Sequence, residues 1–449
     1  MHFGTDGVRG IAHDELTTNM VRDLGRAVAK VLVPDAIYIG RDTRESGEDF
    51  EHALIAGITA EGITVTSLGV APTPAVAFLS EQHNVAGIAI TASHNPWTDN
   101  GIKVFAPGGT KLSDAQQIEI ERQWHEMLRV AQSDALPEPM GGTAHYEPTL
   151  LNDYVAHCVE VVGRGGATGR RVVVDCANGA MSEVAPAVFA AIGVDAIIVN
   201  ASPNGRNIND GCGAMYPQGL AEMVRTRDAD FGIAFDGDGD RIVAVTVDGE
   251  EIDGDFLLAL AAIDLDERGL LRNKTVAVTV MTNIGFHEAM EHAGIHVVVT
   301  PVGDRNILAA LEEHDLVLGG EQSGHIIYRA HATTGDGLLA AMFLLECLTR
   351  RGTTLQHEAH TAMTRFPQVL INVRTATKVD DPAKQLEHAI RAGEATLGAH
   401  GRVLVRASGT EPLIRVMVEA PTHELATQVA KSLADAVIAT CGGEIEGAH

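Results

Sequence analysis

The chain has 449 residues, 45% of them hydrophobic and 21% charged, which predicts three or four globular domains and excludes wholesale disorder. A formal net charge of −27 disfavours nucleic acid and anionic membranes as partners, and no Lys/Arg run offsets it. Five scattered cysteines without a CxxC pair, an N-terminus (MHFGTDGVRG) lacking an apolar leader, and no apolar run near the roughly 20 residues of a membrane helix predict a cytoplasmic protein with free thiols.

The same negative field opposes an anionic small molecule. A phosphate site therefore has to be built locally, from Arg, Lys, backbone N–H groups or a metal ion, within a screening length of about 8–10 Å. Along the chain, short β-rich runs alternate with helical patterns. Strands are expected at AIYIG (36–40), RVVVD (171–175), AIIVN (196–200) and TVAVTV (275–280). Helices are expected at 20–32, 182–192, 286–293 and 306–314. This alternation predicts α/β layers with mixed, mostly parallel sheets. Three times an apolar strand runs into a polar loop and out into another strand: VAGIAI–TASHNPWTDN–GIKVF, FGIAF–DGDGD–RIVAVTV and LVLGG–EQSGH–IIYR. This predicts three related α/β units, each offering one loop at a strand end, where ligands of such sheets bind. A fourth unit has strand FPQVLINVR, a helix over 382–397, the pair RVLVR–ASGTEP–LIRVMVEA and a last helix over 423–439. It reads as a smaller α+β domain. The boundaries drawn are 1–153, 154–254, 255–365 and 366–449.

The loops carry the chemistry. Ser93 follows its strand directly and can carry a phosphoryl group if activated. His94 and Asn95 beside it are hydrogen-bond donors, and Lys103 is a proton donor or acceptor for a substrate hydroxyl. Taken alone, S-H-N-P is also an ordinary turn. Asp236, Asp238 and Asp240, at i, i+2 and i+4 in extended chain with glycines between them, can converge as three carboxylates on one cation. Oxygen ligands alone select Mg²⁺ or Ca²⁺ over zinc. An EF-hand is excluded, because its sixth position would be Arg241 and its twelfth Val247. Arg241 is placed to orient a carboxylate or a phosphate. Glu321 and Ser323, read as pointing the same way from an extended loop, suit sugar hydroxyls, with His325 two residues on; a polar hairpin end accounts for them almost as well. Arg406, Ser408, Gly409 and Thr410 form an anion cradle, and Arg415 either joins it or pairs with Glu411. No Walker motif occurs. GRGGATG (163–169) precedes its strand and is read as a turn, and HEAMEH (287–292) misses the spacing of a zinc helix.

Taken together, FGTDGVRG (Phe3–Gly10), TASHNP (Thr91–Pro96), DGDGDR (Asp236–Arg241), GEQSGH (Gly320–His325) and RASGTEPLIRV (Arg406–Val416) resemble the α-D-phosphohexomutase superfamily from end to end. The N-terminal FGTDGVRG and the Gln in GEQSGH resemble its bacterial branch that interconverts glucosamine 6-phosphate and glucosamine 1-phosphate for UDP-N-acetylglucosamine and peptidoglycan synthesis. The phosphomannomutase/phosphoglucomutase branch is the alternative. Readings of another class are a metal-dependent phosphatase or a non-catalytic sugar-phosphate sensor.

The resemblance implies four domains around a central cleft, the fourth a lid. It implies a phosphoserine at Ser93 and one Mg²⁺ per subunit on Asp236, Asp238, Asp240 and the Ser93 phosphate. Lys103 and His325 match acid–base groups, and Arg9 an arginine near the reacting phosphate. His94, Arg241, Glu321, Ser323, Arg406, Ser408, Gly409, Thr410 and Arg415 fall on the substrate side. A bisphosphorylated sugar is the expected intermediate and activator. A second copy of the chain and an activating kinase are candidate partners. Trp97 stands where the family often has Tyr or Phe, between the HNP turn and DNGIK.

Overall fold

The computed structural model describes residues 7–130, 142–408 and 412–448. The chain divides into two compact units, Met1–Met281 with Ile295–His360, and Thr282–Gly294 with Thr361–His449.

Among the described residues, the first unit holds three sheets. The first contains β1 (Val8–Ile11), β2 (Ala36–Arg41), β3 (Thr64–Val70), β4 (Ala86–Ile90), β5 (Asp99–Ala106), β6 (Thr110–Lys111) and β7 (Ala144–Tyr146). Their order is β1-β5-β4-β2-β3-β7, with β6 on β5. The second contains β8 (Arg171–Asp175), β9 (Asp195–Val199), β10 (Phe231–Phe235), β11 (Ile242–Thr246) and β12 (Glu251–Ile252), in the order β12-β11-β10-β8-β9. The third contains β13 (Thr275–Thr279), β14 (His296–Thr300), β15 (Leu318–Gly320) and β16 (Ile326–Tyr328), in the order β14-β13-β15-β16.

One plan recurs in all three. A central strand (β2, β8 or β13) pairs in parallel with the next strand on one side and the one after that on the other. That last strand then turns back into an antiparallel partner, β4 into β5, β10 into β11, β15 into β16. The three turn-backs are the three expected loops, so the repeat inferred from residue pattern is a repeat of topology. Strands β4, β10 and β11 are buried along their whole length. That suits near-continuous apolar runs covered on both faces.

Helix starts follow local chemistry. Thr17 caps helix Thr18–Leu32, its hydroxyl accepting from the Met20 N–H at 3.3 Å. Asp253 caps Gly254–Glu267 and Asp336 caps Gly337–Arg351 in the same way.

The second unit contains β17 (Gln368–Arg374), β18 (Arg402–Ala407), β19 (Leu413–Glu419) and β20 (Glu444–Ala448), antiparallel throughout in the order β18-β19-β17-β20. Helix His423–Cys441 buries Val429, Leu433 and Val437 in its core. Two expectations differ here. The helix expected over 382–397 is two helices, Pro382–Gln385 and Glu387–Leu397, broken at Leu386. The chain also continues past the last helix through Gly442 and Gly443, both at positive φ, into β20, which pairs with β17. Helix Ile284–Ala293, expected among the α/β units, groups with this unit. Its Ile284 N–H donates to the buried Glu419 carboxylate at 3.0 Å, and Asn283 donates to the Phe366 carbonyl at 3.0 Å.

Candidate active site

The first two loops meet at Ser93. Its Oγ donates to Asp236 Oδ2 at 2.5 Å and lies 3.2 Å from His94 Nδ1. Ser93 is 1% exposed and has φ +52°, in the left-handed region that a serine rarely occupies. Its N–H donates to Thr91 Oγ1 at 2.8 Å. Arg44, wholly buried, donates to the carbonyls of Ser93 (2.9 Å), Asn95 (2.8 Å), Asp99 (2.9 Å) and Pro96. Asp42 holds Arg44 at 2.9 Å and accepts from Thr91 at 2.6 Å. Burial raises the Asp42 carboxyl above its ordinary range, with Arg44 and Thr91 opposing. The serine loop is thus wired from below by one ion pair.

The aspartate loop is a turn rather than the extended chain assumed from its spacing. The Gly239 N–H bonds the Asp236 carbonyl at 3.1 Å, with Gly239 at φ +74°. The turn brings one oxygen each of Asp236, Asp238 and Asp240 within 4.8 Å of one another, all three residues buried. Lys103, on β5, reaches Asp238 Oδ2 and Asp240 Oδ2, each at 2.8 Å. Thr73 donates to Asp238 Oδ2 at 2.5 Å. The opposite oxygens, Asp238 Oδ1 and Asp240 Oδ1, are buried without a hydrogen-bond partner among the described residues. Orphaned oxygens on a buried group of three carboxylates fit a hard divalent cation.

The electrostatics follow from crowding. Burial, then Asp238 and Asp240, push the Asp236 carboxyl well above its ordinary value. Asp240 goes the other way: against burial, Lys103, His325 and Arg241 hold it well below. Burial, then the Arg241 and Arg9 charges, depress His94 to about 4, which keeps it neutral beside the serine. Arg241 is half-buried and raised, the cost of desolvation being outweighed by Asp240, Asp236 and Glu321.

The third loop packs on the second. The Ile242 N–H donates to the Gly324 carbonyl at 3.1 Å, and Gly324, at φ +87°, has no room for a Cβ, which would lie 2.0 Å from the Ile242 carbonyl oxygen. His325 Nε2 accepts from the Gly335 N–H at 3.1 Å, which places the neutral ring's proton on Nδ1, 3.7 Å from Asp240 Oδ1. Against burial, Asp240, Asp304 and Glu321 raise His325 to about 8. Glu321 accepts from the Gly303 N–H at 3.0 Å, while Ser323 is exposed. The loop is a turn, the Gly324 N–H returning to the Glu321 carbonyl, so the two side chains do not share an extended face. Arg9 stands on β1 opposite Gly101 of β5, two residues before Lys103.

In the second unit, Arg406 and Arg415 lie directly opposite on β18 and β19. Burial, then the neighbouring Arg415 charge, lower Arg406. Ser408 is buried, its N–H donating to the Leu413 carbonyl at 2.8 Å. Two like charges abreast in a half-buried site suit an anion between or above them. Gly409, Thr410 and Glu411 lie outside the described residues.

Thus Ser93, His94, Lys103, Asp236, Asp238, Asp240, Arg241 and His325 form one cluster. Arg44, Thr73 and Asn209 (which donates to the Ser93 carbonyl at 2.9 Å) escaped sequence reasoning. Arg44 carried a signal: DTRES follows strand β2 as the other loops follow theirs.

A serine joined to a three-carboxylate cluster across repeated α/β sheets, together with the family's four domain models, places the chain in the α-D-phosphohexomutase superfamily. The chain belongs to the phosphoglucomutase/phosphomannomutase family, whose alpha/beta/alpha domains I, II and III match residues 1–129, 151–249 and 253–366 and whose C-terminal domain matches 370–436. It is 47% identical over 455 residues to a phosphoglucosamine mutase of Frankia casuarinae, covering 97% of each chain. It is 45% identical over 453 residues to one of Halalkalibacterium halodurans, covering 99% of each. In fold it matches a phosphoglucomutase/phosphomannomutase family protein of Burkholderia thailandensis (TM-score 0.82, 23% identity, 98% of each chain). It also matches the Aspergillus fumigatus N-acetylphosphoglucosamine mutase in complex with GlcNAc-6P and magnesium (TM-score 0.67, 20% identity, 98% of this chain and 96% of that one). No helix among the described residues is long and apolar enough to cross a membrane.

Proposed function

We propose that the chain interconverts glucosamine 6-phosphate and glucosamine 1-phosphate, for UDP-N-acetylglucosamine synthesis, with Ser93 carrying the phosphoryl group. The observation that carries the reading is the buried Ser93 Oγ at 2.5 Å from Asp236, inside the three-aspartate cluster. The relatives named phosphoglucosamine mutase support the substrate.

Phosphoryl transfer asks for positioning and charge neutralisation more than covalent chemistry. Asp236, Asp238 and Asp240 would hold a Mg²⁺ ion, which would supply neutralisation of the phosphoryl oxygens. In the first half-reaction the Ser93 Oγ–P bond breaks and a bond forms between phosphorus and the substrate's free hydroxyl oxygen. The hydroxyl proton passes to a base and Oγ regains a proton. The sugar 1,6-bisphosphate turns over, and the other phosphoryl group returns to Ser93 by the reverse steps. Lys103 and His325 line the cluster and serve as the proton carriers. Arg9 and Arg241 bring positive charge to the reacting phosphate, with His94 as a neutral hydrogen-bond partner. Glu321 and Ser323 read the sugar. Arg406, Ser408, Gly409, Thr410 and Arg415 hold the phosphate that is not reacting.

The test is kcat/KM on glucosamine, glucose and mannose phosphates in parallel, with Mg²⁺ and a trace of bisphosphate. Preference for glucosamine phosphate is expected. Comparable values for glucose or mannose phosphates would move the chain to the phosphomannomutase/phosphoglucomutase branch and leave the serine chemistry in place.

A further inference from the structure

The carbonyl oxygen of Ser93 is crowded from three sides. Arg44 Nη2 donates to it at 2.9 Å from the first sheet's side, and Asn209 Nδ2 donates at 2.9 Å from the second. Gly237, between Asp236 and Asp238, closes the third: a Cβ there would lie 2.6 Å from that oxygen and 2.8 Å from Asn209 Nδ2. The other side of the residue is held too, by the Ser93 N–H on Thr91. With both peptide planes of a left-handed serine fixed, only χ1 remains free, and Asp236 takes that up.

Asn209 is oriented towards the serine loop. Its amide also reaches the Asn95 carbonyl at 3.3 Å, while its own Oδ1 is buried without a hydrogen-bond partner among the described residues. A flipped amide would set Oδ1 against two carbonyl oxygens, so Nδ2 has to face the serine loop. The segment that brings it, 200–213, is docked separately. The Gly205 carbonyl accepts from the Glu45 N–H at 2.9 Å. Arg206 forms two 2.8 Å bonds with the Glu45 carboxylate and lies over the Trp97 ring at 5.0 Å.

We propose that Asn209 is a positioning residue for phosphoryl transfer: it lets the domain carrying the three aspartates hold the Ser93 backbone directly, so that Oγ and the carboxylates keep one register through both half-reactions. The inference rests on the phosphoserine reading above. Asn209 acts through Ser93 and touches no substrate. Loss of its two N–H donors releases one of the two donors on the Ser93 carbonyl and the serine drifts, and a displacement of about 1 Å costs about 10²-fold in rate.

The experiment compares Asn209→Ala, Asn209→Asp, Arg206→Ala and Ser93→Ala with the natural chain. It measures steady-state kcat and KM, and the single-turnover discharge of preformed Ser93 phosphate onto glucosamine 6-phosphate, normalised to folded, phosphorylated protein. Both Asn209 variants are expected to discharge about 10²-fold more slowly, with KM within about threefold. Arg206→Ala, which loosens the same segment but spares the amide, should discharge within twofold. Discharge at the natural rate in either Asn209 variant, or equal slowing in Arg206→Ala, overturns the inference. Turnover by Ser93→Ala would instead bring down the phosphoserine reading; an inactive Ser93→Ala beside a fully active Asn209→Ala would bring down this inference alone.

Discussion

Gly335→Ala isolates the contribution of His325 without replacing the ring. A methyl group at residue 335 would sit 2.4 Å from His325 Cε1 and 2.5 Å from both ring nitrogens, whereas ordinary contact begins at 3.4 Å. The ring has to retreat by about 1 Å and loses the Gly335 N–H at Nε2, which defines its tautomer. A shift of that size costs about 10²-fold in kcat, or about 2.7 kcal/mol of transition-state stabilisation. Overpacking adds about 1–3 kcal/mol of lost stability, so the assay is run on protein verified as folded. The design is a double-mutant cycle of Gly335→Ala, His325→Ala and the pair, read in kcat with glucosamine phosphate. If the alanine works through the ring, the double variant is no slower than His325→Ala, and the coupling equals the whole Gly335→Ala effect. A Gly335→Ala enzyme within twofold of the natural rate, or losses that multiply in the double variant, would falsify the role given to His325.

Asp336 gives a pH dependence with a definite sign. It is buried at the start of helix Gly337–Arg351, accepts from Tyr154 at 2.8 Å and from the Leu339 N–H at 2.9 Å, and is raised by burial from 3.8 to about 6. Tyr154, Cys158 and His157 face it from helix Leu151–Val162. A carboxyl raised on folding binds its proton more tightly in the native state, so its contribution to stability grows as pH falls through 6 towards 4. Asp336→Asn, which keeps both acceptor contacts, is therefore expected to be more stable by about 3 kcal/mol at pH 7.5 and about half that at pH 5, read as the gap in thermal midpoints. A gap that widens towards acid would contradict this. Arg406→Ala and Arg415→Ala should each raise KM about 10–100-fold with a smaller change in kcat, as expected for charged bonds to a non-reacting phosphate; a loss confined to kcat argues against that placement. Asp238→Asn should weaken Mn²⁺ binding by at least tenfold in titration calorimetry, since Asp238 Oδ1 is one of the two orphaned oxygens; unchanged affinity removes it from the ligand set.

Elements whose signal is local were legible. The runs around β4, β10 and β15 ended in loops of unusual residue content, and each proved to be the same antiparallel turn-back. The carboxylate cluster was legible for the same reason, although its convergence comes from a turn at Gly239 rather than from an extended chain. What depends on distant segments was not. Nothing in DTRES tells that Arg44 will grip four carbonyls more than forty residues away, or that Asn209 will arrive from another sheet. The pairing of Lys103 with Asp238 and Asp240 spans 135 and 137 residues and is invisible to spacing. β20 was missed because EIEGA is short and polar and becomes a strand only by pairing with β17.

The central claim is that Ser93 carries the phosphoryl group. The direct measurement is to incubate the chain with a radiolabelled hexose 1,6-bisphosphate and Mg²⁺, map the labelled peptide, and chase with unlabelled glucosamine 6-phosphate. An acid-stable label on the peptide containing Ser93, discharged into sugar phosphate at the rate of turnover and absent in Ser93→Ala, is the expected result. A label on an aspartate, or a Ser93 label that the chase leaves in place while turnover continues, would contradict it.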